Sequence, residues 1–506
     1  MPAMPQFDAA LQIIAALRAE GHEAYLAGGC VRDLLLGREP KDYDVATSAT
    51  PDVVLRLFPR TFAVGAHFGV VLVATASDAP NSDSAAQAAS APPQVVTEVA
   101  TFRSDGAYSD GRHPDAVRYT FNAEEDVRRR DFTINGLLLD PERLFPVRTQ
   151  AKEELSPDNL SSMKGTGFSP YMNPAQLAPE GSFLGIAIQN LRSAVIDNVH
   201  GLADLDAGVI RAIGQPGERF EEDHLRMLRA VRFAARFGFQ IDPATASAMR
   251  RLAAKTKAVS RERVRDELTK MLTEGHARRA FELLDETGLL AEVLPEVARM
   301  KGVEQPPQFH PEGDVWTHTL GLLARLEAGC PLPLAWAALL HDVGKPATFR
   351  RAERIRFDGH VEVGVAIAAE ICRRFRFSND ETRQTLSLIE NHMRFIDVPR
   401  MKASTLKRFF RLEDFPQHLA LHRMDCLAGS GNLETWNFVR ERYEAMPAEA
   451  VRPTPLLTGC ELIAAGYQPG AAFRPMLRAV EDAQLEGTIA TPAEALALLR
   501  ERFPLP

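Results

Sequence analysis

Residues 26–46 read LAGGCVRDLLLGREPKDYDVA. Gly28 and Gly29 follow an apolar run and precede the helix-like VRDLLLG. Two glycines at that point let backbone amides approach an anion at a helix start, where N–H donors and the helix dipole both favour negative charge. Asp42 and Asp44 follow. On a strand over 43–46 their side chains would share one face, because strand side chains alternate with period two. Two carboxylates about 7 Å apart along one face can hold a pair of magnesium ions. Such a pair aligns an attacking hydroxyl with a nucleotide's α-phosphate and stabilises the leaving pyrophosphate. A third carboxylate belongs on a neighbouring strand. Glu98, in VVTEVATF (95–102), is best placed, and Asp115 is a weaker candidate. A lone GG is more often a turn, and a lone DxD more often a solvated strand. The order GG, RD, DxD within 17 residues is far more specific.

Working outward, residues 77–94 (SDAPNSDSAAQAASAPPQ) are small and polar between the strand-like GVVLVATA and VVTEVATF. They read as an insertion at a hairpin tip, where extra length costs little. A second irregular stretch, about 142–193, separates the strand signals INGLLLD (134–140) and AVID (194–197). It reads as a surface insertion. From Glu221 onward strand signals fade and helical periodicity takes over. In DHLRMLRAVRFAARFGF, Leu225, Leu228, Val231, Phe233 and Ala235 lie near one helical face, with Arg226, Arg229, Arg232 and Arg236 on another. Between His224 and Ala280 there are 14 Lys/Arg against 5 Asp/Glu, a local excess inside a chain whose net charge is −8. A basic helical stripe is commonly a solvated face, but it also fits a phosphate backbone.

With these segments in view, GGCVRDLLLGREPKDYDVAT resembles the signature of the bacterial (class II) tRNA CCA-adding enzyme and poly(A) polymerase family, nucleotidyltransferases with a polymerase-beta-like head. VATFRSDGAYSDGRHPDAV (99–117) is similar to that family's strand and flexible loop. EEDVRRRDFTINGLLLD (124–140) is similar to its ribose motif, GLADLDAGVIRAIG (201–214) to its hinge, and EEDHLRMLRAVRFAARFGF (221–239) to its base-recognition helix. The resemblance implies that Asp42, Asp44 and Glu98 carry the catalysis, with Mg2+ on the aspartates. It implies that Gly28, Gly29, Arg32 and Asp33 organise the triphosphate, and that Arg130, Asp131 and Asn135 meet the ribose. Glu222, Asp223 and Arg226 match the EDxxR motif that reads the base. Arg offers only donors and ionised Asp only acceptors, so together they can present a Watson–Crick-like edge to cytosine or adenine. The bland alternative for Asp223 and Arg226 is an i, i+3 helical ion pair worth a few tenths of a kcal/mol. Arg229, Arg232 and Arg236 would grip RNA.

Seven of the 13 histidines lie between His310 and His422. HPEGDVWTHTL (310–320) and WAALLHDVGKP (336–346) are followed by His360, His392 and Asp425. Imidazoles and carboxylates gathered from separate helices build a divalent-metal site in an all-α domain. Such a site can activate water against a phosphate ester. The set resembles the HD phosphohydrolase superfamily, which implies His318, His341, Asp342 and Asp425 as primary ligands. His360 and His392 would hold a second metal or the phosphate, and Lys345 would neutralise phosphate charge. His310, His418 and His422 read as surface or supporting residues. The metal's identity is not legible, and the expected substrate is a 2′,3′-cyclic or terminal phosphate on RNA ends.

The expected fold is α+β. A small mixed sheet with flanking helices forms a head over 1–200, and an all-α body follows. That body comprises a helical neck (201–300), an HD domain (301–430) and a helical tail (431–506) that could contact tRNA. The expected partners are tRNA, CTP and ATP. Rival specificities on the same fold are CC addition, A addition or poly(A) tailing. The loop YSDGRHPDAV, with Arg112 and Asp115, argues against CC addition alone, and a pI near 6.0 against a poly(A) polymerase with a basic extension. A hydrolase whose head only binds RNA would have no need of Asp42, Asp44 and the EDxxR set. No apolar run reaches the roughly 18 residues of a spanning helix. Five scattered cysteines, Cys30, Cys330, Cys372, Cys426 and Cys460, form no CxxC and read as reduced thiols. A cytoplasmic protein with no membrane partner is therefore expected, and the oligomeric state is left open.

Overall fold

The computed structural model describes residues 5–62, 69–76, 94–106, 117–144, 188–308 and 310–504. The chain divides into two units, Met1–Val259 and Ser260–Pro506. That division falls inside the segment expected as a single neck over 201–300.

The first unit is built on a seven-stranded sheet. Its strands are β1 (Ala24–Ala27), β2 (Val45–Thr47), β3 (Thr61–Phe62), β4 (Val70–Ala76), β5 (Gln94–Thr101), β8 (Leu137–Leu139) and β9 (Val195–Asp197), in the spatial order β3-β4-β5-β2-β1-β8-β9. The pair β2–β5 is parallel and every other pair is antiparallel, so the sheet is mixed as expected. A separate two-stranded ribbon joins β6 (Arg103–Asp105) to β7 (Val117–Tyr119). One part of the core packs strand residues Ala27, Ala46 and Leu138 against Phe102 and the helical Val127. The long helix Pro5–Ala19 buries Phe7, Ile13, Ile14 and Leu17, and it contacts β1, β2 and β5.

Several expectations shift at this level. The strand carrying the DxD starts at Val45, so Asp42 and Asp44 lie on the approach to it rather than within it. The insertion at 77–94 falls outside the described residues except for Gln94, which already belongs to β5. The ends of the 142–193 stretch are helical, at Pro141–Leu144 and Ile188–Ser193, and 145–187 lie outside the described residues. Two short ribbons interrupt the helical body: β10 (Val209–Ile210) pairs with β11 (Gln240–Ile241), and β12 (Arg350–Arg351) pairs with β13 (Ile355–Arg356).

The second unit is otherwise helical. Local signals place its helices well. Asp314 caps Val315–Leu323 by accepting from the Thr317 N–H at 2.8 Å. Ser378 and Glu381 form a reciprocal capping box at the start of Asn379–Asn391. The helix Leu332–Leu340 is apolar all round and is buried from Leu334 to Leu340, as an all-apolar helix should be. A second core gathers Phe395, Leu406, Phe409, Phe410, Phe415 and Val439. All five cysteines are free. Among the described residues no helix is long and apolar enough to cross a membrane.

Candidate active sites

In the first unit, Asp44 and Glu98 line one cavity of about 280 Å³, together with Val70, Ala100, Thr101, Arg103, Arg129 and Arg130. The register explains the meeting. Parallel pairing sets Val45 opposite Val99, which brings the approach to β2 beside Glu98 on β5. Burial, and then the charges of Glu98 and Asp42, push the Asp44 carboxyl up to about 6. Glu98 is raised by burial and by Asp42. Carboxylate oxygens are the donors a hard dication takes, but among the described residues Asp42, Asp44 and Glu98 are not drawn within 4.8 Å of one another as the second unit's groups are. Asp115 and the loop around it lie outside the described residues.

The cavity's arginines are positioned by a residue that the sequence reading passed over. Asp126, buried, accepts from Arg129 at 2.7 Å and from Arg130 at 3.0 Å. The i, i+3 and i, i+4 spacing within EEDVRRRD carried that signal.

The other motif residues form a buried polar network outside the cavity lining. Arg32, 4% exposed, donates to Asp33 at 2.8 Å and to the Asn135 side-chain oxygen. Its guanidinium lies 5.2 Å from the Phe233 ring and 4.7 Å from the Phe237 ring. Asn135 donates in turn to Asp131 at 2.9 Å, and Arg229 reaches the other Asp131 oxygen at 2.9 Å. Burial opposes charge on Asp131, but Arg229 and the Asn135 hydrogen bond outweigh it and hold the carboxyl down at about 2. Arg236 meets Asp33 at 3.5 Å. Gly28, with φ near 73°, caps the helix Gly29–Leu35, and a Cβ there would stand 2.8 Å from an Arg130 nitrogen.

The arginine stripe of Leu225–Phe237 therefore turns largely inward. Arg226 and Arg232 are buried. Arg226 pairs with Glu222 at 2.6 Å, not with Asp223, and it also donates to the carbonyls of Arg219 and Arg129. Asp223 ends the preceding helix and accepts from the Leu225 N–H at 3.0 Å.

In the second unit, His318, His341 and Asp425 bring ligand atoms within 4.8 Å of one another, and so do Asp342, His360 and His392. Each group draws on separate helical segments. Asp342 lies 3.1 Å from His341 Nε2, 3.7 Å from His360 Nε2 and 3.9 Å from His392 Nε2, so the two groups adjoin. Lys345 bonds Asp342 at 2.6 Å and Gln305 at 2.7 Å.

The donor chemistry suits a metal. The Nδ1 atoms of His341, His360 and His392 sit 3.1, 3.0 and 2.6 Å from the carbonyls of Ala338, Phe357 and Ile389, each three residues back. A carbonyl only accepts, so Nδ1 carries a proton in each ring, and a ring that is otherwise neutral then presents Nε2 as a lone pair. Those three Nε2 atoms are buried and make no hydrogen bond among the described residues. Burial pushes His392 down to about 4 and lowers His360, keeping both neutral. His318 is held differently. Glu312 faces its Nδ1 at 2.6 Å and Asp425 its Nε2 at 3.0 Å. Burial works against charge there, but the hydrogen bonds to Asp425 and Glu312 win and carry it up to about 9. Glu312 went unread in the sequence although it lies within HPEGDVWTH. It also meets His310 at 2.9 Å, which makes His310 a supporting residue rather than a surface one. His418 and His422 are buried against Phe415 and Phe395.

Comparison with known proteins adds three family matches. Residues 24–147 match the poly A polymerase head domain, 238–301 the probable RNA and SrmB-binding site of polymerase A, and 315–428 the HD domain. A CCA-adding enzyme of Geobacillus kaustophilus is 35% identical over 294 residues, 58% of this chain and 56% of that protein. One from Lactobacillus helveticus is 32% identical over 322 residues, 63% of this chain and 64% of its own length. The matched part thus spans less than two thirds of these relatives. The crystal structure of the Bacillus stearothermophilus CCA-adding enzyme in complex with CTP superposes with a TM-score of 0.65 at 25% identity, covering 99% of this chain and 98% of that one.

Proposed function

We propose that this chain, which matches the poly A polymerase head domain over 24–147 and is 35% identical to a CCA-adding enzyme over 294 residues, adds CCA to the 3′ end of tRNA from CTP and ATP without a nucleic-acid template. The observation that carries this reading is the shared cavity. Asp44 and Glu98, with Asp42 beside them, stand against Arg103, Arg129 and Arg130. Asp42, Asp44 and Glu98 would hold magnesium, which when bound supplies the alignment of a 3′-hydroxyl on the α-phosphate and offsets charge on departing pyrophosphate. The three arginines offer cationic donors to a triphosphate, and Asp126 keeps Arg129 and Arg130 aimed. Glu222 and the carbonyls of Arg219 and Arg129 fix the Arg226 guanidinium, so that it and Asp223 present donors and an acceptor to the incoming base. Arg130, Asp131 and Asn135 would meet the ribose. Gly28, Gly29, Arg32 and Asp33 would support the triphosphate end through the network described above.

The second unit would act as a phosphohydrolase on phosphate esters at RNA ends. His318, His341, Asp342, Asp425, His360 and His392 would hold divalent metal, which when bound activates a water. Lys345 would offset phosphate charge. The buried Nε2 atoms of His341, His360 and His392, which face Asp342 and make no hydrogen bond among the described residues, support this.

The test offers magnesium and tRNA transcripts ending at the discriminator base, at C or at CC, with CTP, ATP or both, read at single-nucleotide resolution. The bare end should gain C, C and A and then stop. A single A on the CC-ended transcript alone would mean an A-adding enzyme, and CC without A a CC-adding one. Long adenosine tails would mean a poly(A) polymerase. Each of these outcomes overturns the CCA reading.

A further inference from the structure

Between the HD dipeptide and His360 the chain reads FRRAERIRF over 349–357. Four arginines and one acid, Glu353, occupy nine positions, and all four arginines are exposed. The segment is the hairpin β12–β13. Its register sets Arg350 directly opposite Arg356, and Arg351 opposite Ile355.

Side chains alternate along a strand, so the hairpin has two different faces. One face is turned to the body of the unit. Arg351 pairs there with Glu304, and Phe357 packs 6.0 Å from Phe349 with the Lys345 ammonium 5.3 Å from its ring. The other face carries Arg350 and Arg356, neither of which makes an ion pair among the described residues. Like charges directly opposite each other on a ribbon are destabilising. Among the described residues no ion pair offsets the repulsion, whereas an anion lying between the two guanidiniums would.

The hairpin is rooted in the candidate metal cluster. Lys345, which bonds Asp342, touches Phe357, and His360 follows Arg356 by four residues, at most about 14 Å of chain. A row of phosphates meets these features better than a lone anion does. It matches two exposed guanidiniums side by side, and it can run on from them toward the cluster.

We propose that the outer face of the β12–β13 hairpin, Arg350 opposite Arg356, binds the backbone of a single-stranded RNA whose phosphate-bearing end enters the His/Asp cluster. The substrate class of the second unit is then an RNA end rather than a free mononucleotide. This rests on the phosphohydrolase reading for the end's fate, but the backbone contact stands by itself.

The experiment compares the full-length wild type, R350E/R356E, the milder R350Q/R356Q and the control R373E/R400E. The control reverses two exposed arginines of the second unit, one at the far end of the helix His360–Arg374 and one at Arg400. The probe is a short fluorescent single-stranded RNA ending in a 2′,3′-cyclic phosphate. Its anisotropy is titrated between roughly 50 and 200 mM KCl. Losing two phosphate contacts should flatten the log Kd against log salt slope by about 1.4 and weaken binding about tenfold. The glutamine pair should show the same loss of slope, and the control none. In hydrolysis, kcat/KM for the RNA should fall about tenfold further than for 2′,3′-cyclic AMP, in line with the binding loss. An unchanged slope in a variant that melts like wild type overturns the proposal, as does an equal loss on RNA and mononucleotide. If no form hydrolyses either substrate, the phosphohydrolase reading fails while the slope still decides the backbone contact.

Discussion

A buried guanidinium is costly unless its donors are answered, and Arg32 is answered from three directions: Asp33, Asn135 and the rings of Phe233 and Phe237. Asp131 is the other pole of that network. Its carboxyl, held down at about 2 by Arg229 and Asn135, lies below the usual carboxylate value, so folding favours the ionised form. The stabilisation is fully present above about pH 4 and is lost as pH falls through 4 toward 2. Its size is about 2 kcal/mol. Urea unfolding of wild type and Asp131→Asn should therefore differ by about that much at pH 5, and the gap should narrow steadily below pH 4. A gap independent of pH would mean that Asp131 contributes through packing alone. The same residues mark a limit of sequence reading. The motifs around Arg32, Asp131 and Arg229 were legible one by one, because residue type and spacing are local. That they form one connected network was not, since the ion pairs join positions about a hundred and two hundred residues apart. The arginine stripe was read correctly as helical, yet period alone cannot say that its charges face buried acids rather than water.

At the scale of elements, the second site depends on how closely helices can approach. Gly344 ends the HDVG turn, and a Cβ there would stand 2.1 Å from the His360 carbonyl and 2.6 Å from the Gly364 nitrogen. The bare backbone is what lets the helix beginning at His360 press against the turn that carries His341 and Asp342. Gly344→Ala should destabilise the protein by about 1–3 kcal/mol through overpacking. It should also lower bound metal by moving His360 away from Asp342. Thermal unfolding together with metal analysis of the purified variant checks both, and full metal content in a destabilised variant would separate the turn from the site. Helix positions here were readable from caps and periodicity, as at Asp314 and Ser378. The hairpin β12–β13 was hidden, because two-residue strands leave no period to detect.

At the scale of the molecule, the proposed function assigns two sets of acids to two chemistries on one chain. Asp42→Asn with Asp44→Asn should abolish nucleotide addition and leave phosphate-ester hydrolysis intact. His341→Ala with Asp342→Ala should do the reverse. Parallel assays of both variants decide the matter, and loss of both activities in either one would refute independence. The histidines of the second site are not equivalent, however. His318 leans on the Glu312 carboxylate, while His341, His360 and His392 lean on main-chain carbonyls. An imidazole backed by a carboxylate donates more electron density than one backed by an amide. The position shared by His318, His341 and Asp425 would thus fill first when metal is scarce, and its neighbour around Asp342 only as supply rises. One half of the chain would then answer to the cell's trace-metal economy while the other runs on abundant magnesium.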